Sequence, residues 1–243
     1  MSAVDLRVAD GRAYIEAVSF APLTSHDPAF ADELAGAVVE ASDHDHVKAI
    51  VLRATGPDFA PAVPTGFPSV ADAPTTWHRA FVASTAVYQA TCFAKKVVVA
   101  EVRGECHGAG SALLLCTDLA VASEDAVFGS PFLDVPESNF VLAALTVRLN
   151  RAKSWLLRGT VHDAPTAGRI GLVNRVVPAA RLQSEVERMT AAVLGMPLDG
   201  LTMSKMLQQA VYDAHGVGRE FDLADHYTIH RAAVGSGLTE EGA

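Results

Sequence analysis

Two glycine-bearing turns carry the residues with the clearest chemical potential. One follows the apolar run Val97–Val102 and reads Gly104-Glu-Cys-His-Gly108-Ala109-Gly110 before an apolar helix, Ser111–Cys116. A strand that passes through a glycine turn into a helix aims backbone N–H groups at one point, with the helix dipole behind them. Such a point binds or polarises an oxygen anion. The other turn, Gly56-Pro-Asp-Phe59-Ala-Pro-Ala62-Val63, follows the apolar run Ala49–Arg53. Gly108-Ala-Gly110 also matches the opening of a dinucleotide fingerprint. Leu113, however, stands where that fingerprint needs a third glycine for close helix–strand packing. Taken alone, the glycine turn reads as a structural turn with no chemistry.

The two turns and a third segment together resemble the crotonase (enoyl-CoA hydratase/isomerase) superfamily. Lys96, Val102-Arg103-Gly104, Gly108-Ala109-Gly110, Thr117-Asp118 and Phe128-Gly129-Ser130-Pro131-Phe132 fall in register with its central motif without a gap. Gly56–Val63 is similar to its Gly-x-x-Phe-x-x-Gly-x-Asp loop. Gly159–Gly168 followed by Gly171-Leu-Val-Asn-Arg-Val-Val-Pro178 is similar to its later glycine–leucine–valine segment. The resemblance implies an α/β fold, a spiral of repeated ββα units with a C-terminal helical trimerisation region. It implies an acyl-CoA thioester, or a related β-dicarbonyl compound, as substrate. Coenzyme A enters only as the carrier of that substrate, and no cofactor or metal is expected. The substrate oxygen would be held by the backbone N–H groups of Val63 and Ala109, with Ala62, Gly108, Gly110 and Phe132 around it. That requires two donors that converge and are not bonded within the chain. Losing one such donor typically costs roughly 3–4 kcal/mol of transition-state stabilisation.

By this resemblance the sequence is a divergent member that lacks both hydratase glutamates. Their positions hold Ala112 and Phe132, neither of which can transfer a proton. Hydration of an enoyl thioester is therefore not expected. Asp134 and Glu137, just past Phe132, are the candidate catalytic carboxylates, and each is equally a solvated loop residue. The alternative reading is an acyl-CoA-binding protein that is catalytically silent. Ala62 replaces the glycine of the family loop, flanked by Pro61 and Pro64. The sequence ends at Glu241-Gly242-Ala243, where family chains continue into a last helix, so a more open site or weaker CoA binding is expected. His107 reads as structural, and Cys106-His107 is no nucleophile–base pair, since neighbouring extended residues face opposite ways. Asp43-His44-Asp45-His46 reads as a solvated turn rather than a metal site.

The elements that must position these residues alternate along the chain. Strands are expected at Val4–Val8, Ala13–Phe20, Ala49–Arg53, Val97–Val102, Leu119–Ala122 and Val173–Val177. Helices are expected at Asp27–Ala41, where Asp27 caps and Pro28 leads, and at Thr75–Lys95. After Phe128 the pattern becomes mostly helical: Val141–Leu149, Lys153–Leu157, Pro165–Arg169, Ala180–Leu194, Leu201–Ala214 and Gly218–Ala233. This divides the chain into a spiral core over 1–178 and a helical region over 179–243, forming one structural domain. A length of 243 residues, half of them hydrophobic, suffices for one large core. The formal charge of −9 argues against nucleic acid as a partner. No apolar run reaches membrane-spanning length and no signal peptide opens the chain. Cys92, Cys106 and Cys116 read as reduced thiols of a cytoplasmic protein. Homotrimer or dimer-of-trimers assembly is carried over from the resemblance.

Overall fold

The computed structural model describes residues 2–63, 74–131 and 139–226. Two sheets organise them. The larger has six strands in the order β1 (Val4–Ala9), β2 (Arg12–Ala17), β3 (Ala49–Ala54), β4 (Val97–Val102), β6 (Leu119–Ser123) and β9 (Arg175–Val177). β1 and β2 are an antiparallel hairpin, and every later pairing in this sheet is parallel. Asp10 and Gly11 both sit at positive φ in the hairpin turn, the backbone that a two-residue hairpin requires. The smaller sheet joins β5 (Glu105–Cys106), β7 (Val127–Phe128) and β8 (His162–Asp163).

The chain alternates between the sheets and then enters a helix. β4 leads to β5 and α4 (Ala109–Leu115); β6 leads to β7, α5 (Phe140–Val147) and α6 (Leu149–Arg158). β3 follows the same course: an isolated parallel bridge from Ala60 to Cys106 carries its continuation alongside β5, and α3 (Pro74–Cys92) follows. The last turn runs from β8 through α7 (Ala164–Ile170) to β9. This is the expected spiral of strand, strand and helix.

Burial on both faces explains why the central strands are largely apolar, with Arg53 and Glu101 the exceptions in β3 and β4. Ile50, Leu52, Val98, Ala100 and Val102 face the main core, with Phe59, Phe128 and Trp155. Val51, Val99 and Val121 face the other way, under Leu182 and Val186 of α8 (Leu182–Leu194). α9 (Leu198–His215) is fastened to the sheet by Lys205, whose Nζ lies 2.7 and 2.8 Å from the two Asp118 oxygens. Asp118 in turn accepts the Val98 N–H at 2.8 Å.

Several boundaries differ from expectation. β2 stops at Ala17, because Pro22 starts a short helix, α1 (Ala21–Thr24), that the apolar run Val18–Phe20 had concealed. α3 ends at Cys92, not Lys95, and α4 begins at Ala109, two residues before the expected start. The helix expected over Val141–Leu149 is broken at Arg148, whose φ of 73° separates α5 from α6. α2 (Pro28–Asp43) begins as expected, with Asp27 Oδ1 accepting from Ala29 N at 3.0 Å and Phe30 N at 3.3 Å.

Candidate active site

β5 is the centre of the site. On one side, Ala60 N donates to Glu105 O at 2.8 Å and His107 N to Ala60 O at 2.9 Å. On the other side, Gly129 N donates to Cys106 O at 2.9 Å and Gly108 N to Ser130 O at 3.1 Å. The register of the Ala60–Cys106 bridge sets Val63 and Ala109 each three residues beyond it on neighbouring chains. The two expected donors thus belong to adjacent segments, as the motif requires.

Two glycines make this packing possible. Gly108 precedes α4 with φ 52° and ψ −126°, a conformation that side chains disfavour. At Gly110 a Cβ would overlap the Cβ of Ala60. Ser111 Oγ lies 2.9 Å from Cys106 O and 2.8 Å from Gly129 O, tying the first turn of α4 to β5 and to the segment after β7. The His107 ring packs against Gly129, where a Cβ would meet it. Cys106 points the opposite way into the core, where burial pushes its thiol up to about 12, so it is no nucleophile.

One expectation needs correction. Ala109 is the first residue of α4, but its N–H is not free: it donates to Thr24 Oγ1 at 3.1 Å. Both residues are buried. Thr24 ends α1, and Phe20 just before α1 donates its N–H to Phe59 O at 2.8 Å. The same short stretch that ties down the loop therefore also occupies the donor. Val63 is half-buried and bonds to nothing among the described residues. Ala62 is exposed, and its N–H donates to Glu105 Oε2 at 3.1 Å.

The hydratase positions and their substitutes fall as follows. Ala112 is fully buried, and its carbonyl accepts from Asn139 Nδ2 at 3.2 Å. Asn139 sits at φ 147°, an unusual backbone for a non-glycine residue. α5 beyond it is capped by Glu220, whose carboxylate oxygens lie 3.0 Å from Val141 N. Burial pushes the Glu220 carboxyl up, against the opposing pull of these backbone N–H groups. Phe132, Asp134 and Glu137 lie outside the described residues.

A second buried polar group stands two residues from Thr24. His26 has φ 53°, stacks on Phe81 with ring centroids 5.8 Å apart, and places Nδ1 3.3 Å from Ser84 Oγ. Ser84 gives its proton to Ala80 O at 3.3 Å. The tautomer of His26 sets which atom of the His26–Ser84 pair donates. Burial lowers its pKa to about 4, so the ring is neutral at neutral pH. Among the described residues no cluster of histidine, cysteine and carboxylate groups could hold a metal.

Residues 21–240 match the enoyl-CoA hydratase/isomerase family. The chain belongs to that family. A probable enoyl-CoA hydratase of Mycobacterium bovis is 30% identical over 179 residues, covering 72% of this chain and 68% of the relative. A (7aS)-7a-methyl-1,5-dioxo-2,3,5,6,7,7a-hexahydro-1H-indene-carboxyl-CoA hydrolase of Mycobacterium tuberculosis is 32% identical, over 64% of each chain. Among solved structures, a probable enoyl-CoA hydratase of Mycobacterium smegmatis superimposes with a TM-score of 0.80 at 26% identity, covering 100% of this chain and 98% of that one. Family membership accounts for the spiral. It does not supply a proton-transfer group at Ala112.

The sequence motifs pointed to Val63, Ala109 and the glycines. They gave no sign of Thr24, His26, Glu105, Asn139 or Glu220. A threonine three residues before Asp27-Pro28 carries no helical or strand pattern, and neither does a glutamate inside a glycine turn.

Proposed function

We propose that this chain binds an acyl-CoA thioester, or a related β-dicarbonyl compound, polarises its carbonyl with the N–H groups of Val63 and Ala109, and does not hydrate enoyl thioesters. The observation that carries the reading is the Ala60–Cys106 register, which brings the two donor segments side by side at the start of a buried helix. The Ala109 N–H is bonded within the chain to Thr24 Oγ1, against the requirement for two free donors, so this reading requires an incoming thioester oxygen to displace that neutral hydroxyl. An enolate forming there would accept more strongly still, because hydrogen bonds to charged groups are worth about 1.5–3 kcal/mol against about 1 for neutral ones. The relatives' names include both hydratases and a CoA hydrolase, so the fold accommodates chemistry other than hydration. The working proton-transfer group is then Asp134 or Glu137, as the resemblance implies.

Ala112 supports the absence of hydration in this reading. It is sealed in the core, with its carbonyl bonded to Asn139, so no water can be activated from that position. The test follows crotonyl-CoA by loss of its enoyl thioester absorbance, beside a thermal-shift panel of acyl-CoA thioesters. The expected result is stabilisation by an acyl-CoA without hydration. Hydration at rates ordinary for a hydratase would refute the reading.

A second reading, a binding protein without chemistry, is favoured by the Thr24–Ala109 bond, which fills the donor in the free protein. Turnover of any thioester in the panel separates the two. The exposed Met203, Met206, Leu207 and Val211 of α9 support assembly with further copies of the chain. We carry over the homotrimer, or dimer of trimers, as its form, to be checked by light scattering on the purified protein. No helix among the described residues is long and apolar enough to cross a membrane, and a cytoplasmic location is part of the same proposal.

A further inference from the structure

We infer that Glu105 is a positioning residue for the Val63 donor: its carboxylate supplies the acceptor that the strand ladder loses where the chain turns into α4. The inference rests on the reading of Val63 and Ala109 as an oxygen-binding pair.

Parallel pairing fixes what should happen next along the segment after Ala60. Ala60 N donates to Glu105 O, and His107 N donates to Ala60 O. By the same spacing, the following rung runs from Ala62 N to His107 O. That carbonyl is already taken. It accepts from Gly110 N at 2.9 Å, the bond that closes the entry to α4. Ala62 N turns instead to Glu105 Oε2, at 3.1 Å. The side chain of one strand residue therefore replaces the main-chain acceptor two residues further on.

Glu105 is itself held in place. Its N–H donates to Asp58 Oδ1 at 2.9 Å. His107 Nε2 lies 4.0 Å from the same Oε2 that receives Ala62. Asp58 belongs to the loop that Glu105 anchors, and Gly104, at φ 55°, lets the two chains approach: a Cβ there would overlap Asp58 and crowd Pro57. The loop and the turn are thus cross-tied from Asp58 to Ala62.

A single residue separates the anchored amide from the donor. Peptide planes are rigid, so only φ and ψ of Ala62 stand between the Ala62 N–H and the direction of the Val63 N–H. Alanine at 62, where the family loop has glycine, confines those angles to the regions open to L residues. Anchor and alanine act together: one fixes the frame and the other narrows the rotation. Without the carboxylate, the segment after Ala60 keeps no hydrogen bond to β5 among the described residues, and the Val63 N–H is no longer aimed.

Two variants and two readouts test this. Glu105→Gln keeps an oxygen that can accept from Ala62, and Glu105→Ala removes it. The Glu105 side chain is 50% exposed, so neither change disturbs the core, and thermal melts of both should match the wild type. The first readout is backbone hydrogen exchange over residues 60–63 in the free protein. It should rise in Glu105→Ala and stay near wild type in Glu105→Gln. The second is the absorbance of a bound aryl-enoyl-CoA thioester, which moves to longer wavelength as its carbonyl accepts hydrogen bonds. Wild type and Glu105→Gln should show the shift; Glu105→Ala should lose most of it and bind about tenfold more weakly. Unchanged exchange in Glu105→Ala, or an undiminished shift, overturns the inference. A wild type that shows no shift overturns the oxygen-binding reading itself. In that case the exchange result still decides separately whether Glu105 holds Ala62.

Discussion

Replacing Thr24 by valine should move stability and ligand affinity in opposite directions. Valine keeps the shape of threonine and exchanges the hydroxyl for a methyl group. Thr24 is 3% exposed and Ala109 1%, so solvent does not take over the lost acceptor at 3.1 Å. A buried N–H left without a partner costs about 1–3 kcal/mol. In a chain of this length each kcal/mol lowers Tm by about 2–4 °C, so Thr24→Val should melt about 2–12 °C below wild type. Binding should respond the other way. In the wild type an incoming thioester oxygen first displaces the hydroxyl, a neutral bond worth about 0.5–1.5 kcal/mol net. In the variant the donor is already vacant, so acyl-CoA binding should tighten about 2–12-fold. Calorimetric melting and isothermal titration on one preparation give both numbers. A lower Tm without tighter binding would show that the ligand does not use the Ala109 donor. An unchanged Tm would show that the Thr24–Ala109 bond contributes nothing.

The remaining expectations concern the frame around the site. Gly110→Ala pushes a Cβ into Ala60, an overpacking that should cost about 1–3 kcal/mol and lower the urea midpoint at unchanged slope. Lys205→Met strands the Asp118 carboxylate, only 11% exposed; losing one partner of a buried pair costs about 3–5 kcal/mol, and denaturant melts should show a loss near the lower end of that range. All three cysteines are buried, with burial raising Cys92 and Cys106 to about 12, so a disulfide-exchange reagent should titrate no thiol until the protein unfolds. Glu101 is 1% exposed, and burial raises its carboxyl, with Arg53 and Arg103 only offsetting the effect. The folded state then holds this proton more tightly than the unfolded one. Stability drawn from Glu101 should fall as pH rises from the ordinary carboxylate value through its raised one. Glu101→Gln should remove that share of the slope, measured by urea melts at about pH 5 and about pH 7.

The sequence was most readable where one element was long enough to show a period. β3 and β4 declare themselves as apolar runs interrupted only by Arg53 and Glu101, because both faces are covered. Asp27-Pro28 marks the start of α2 with a side-chain acceptor and a residue that needs no N–H donor. The smaller sheet leaves no such trace: Glu105–Cys106, Val127–Phe128 and His162–Asp163 are two residues each, shorter than one full alternation. Only the resemblance implied that a second strand set existed. The same limit hid the contacts that matter most at the site. Thr24 meets Ala109, and Glu105 meets Ala62, through one side chain and one main-chain N–H. A main-chain partner can be any residue but proline, so neither pair leaves a signature in residue type. The interruption at Arg148 was equally silent, because its positive φ falls on a residue that is not glycine.

Asn139 joins two helices through one side chain. Its amide donates to the carbonyl of Ala112 in α4 at 3.2 Å, and its own carbonyl accepts from Ala143 N at 2.9 Å in the first turn of α5. Glu220 holds the neighbouring Val141 N–H. A shift of α4 is therefore passed to α5 through Asn139, and from α5 to the segment after α9 through Glu220. The frame of the site and the C-terminal helical region respond to one another along that line.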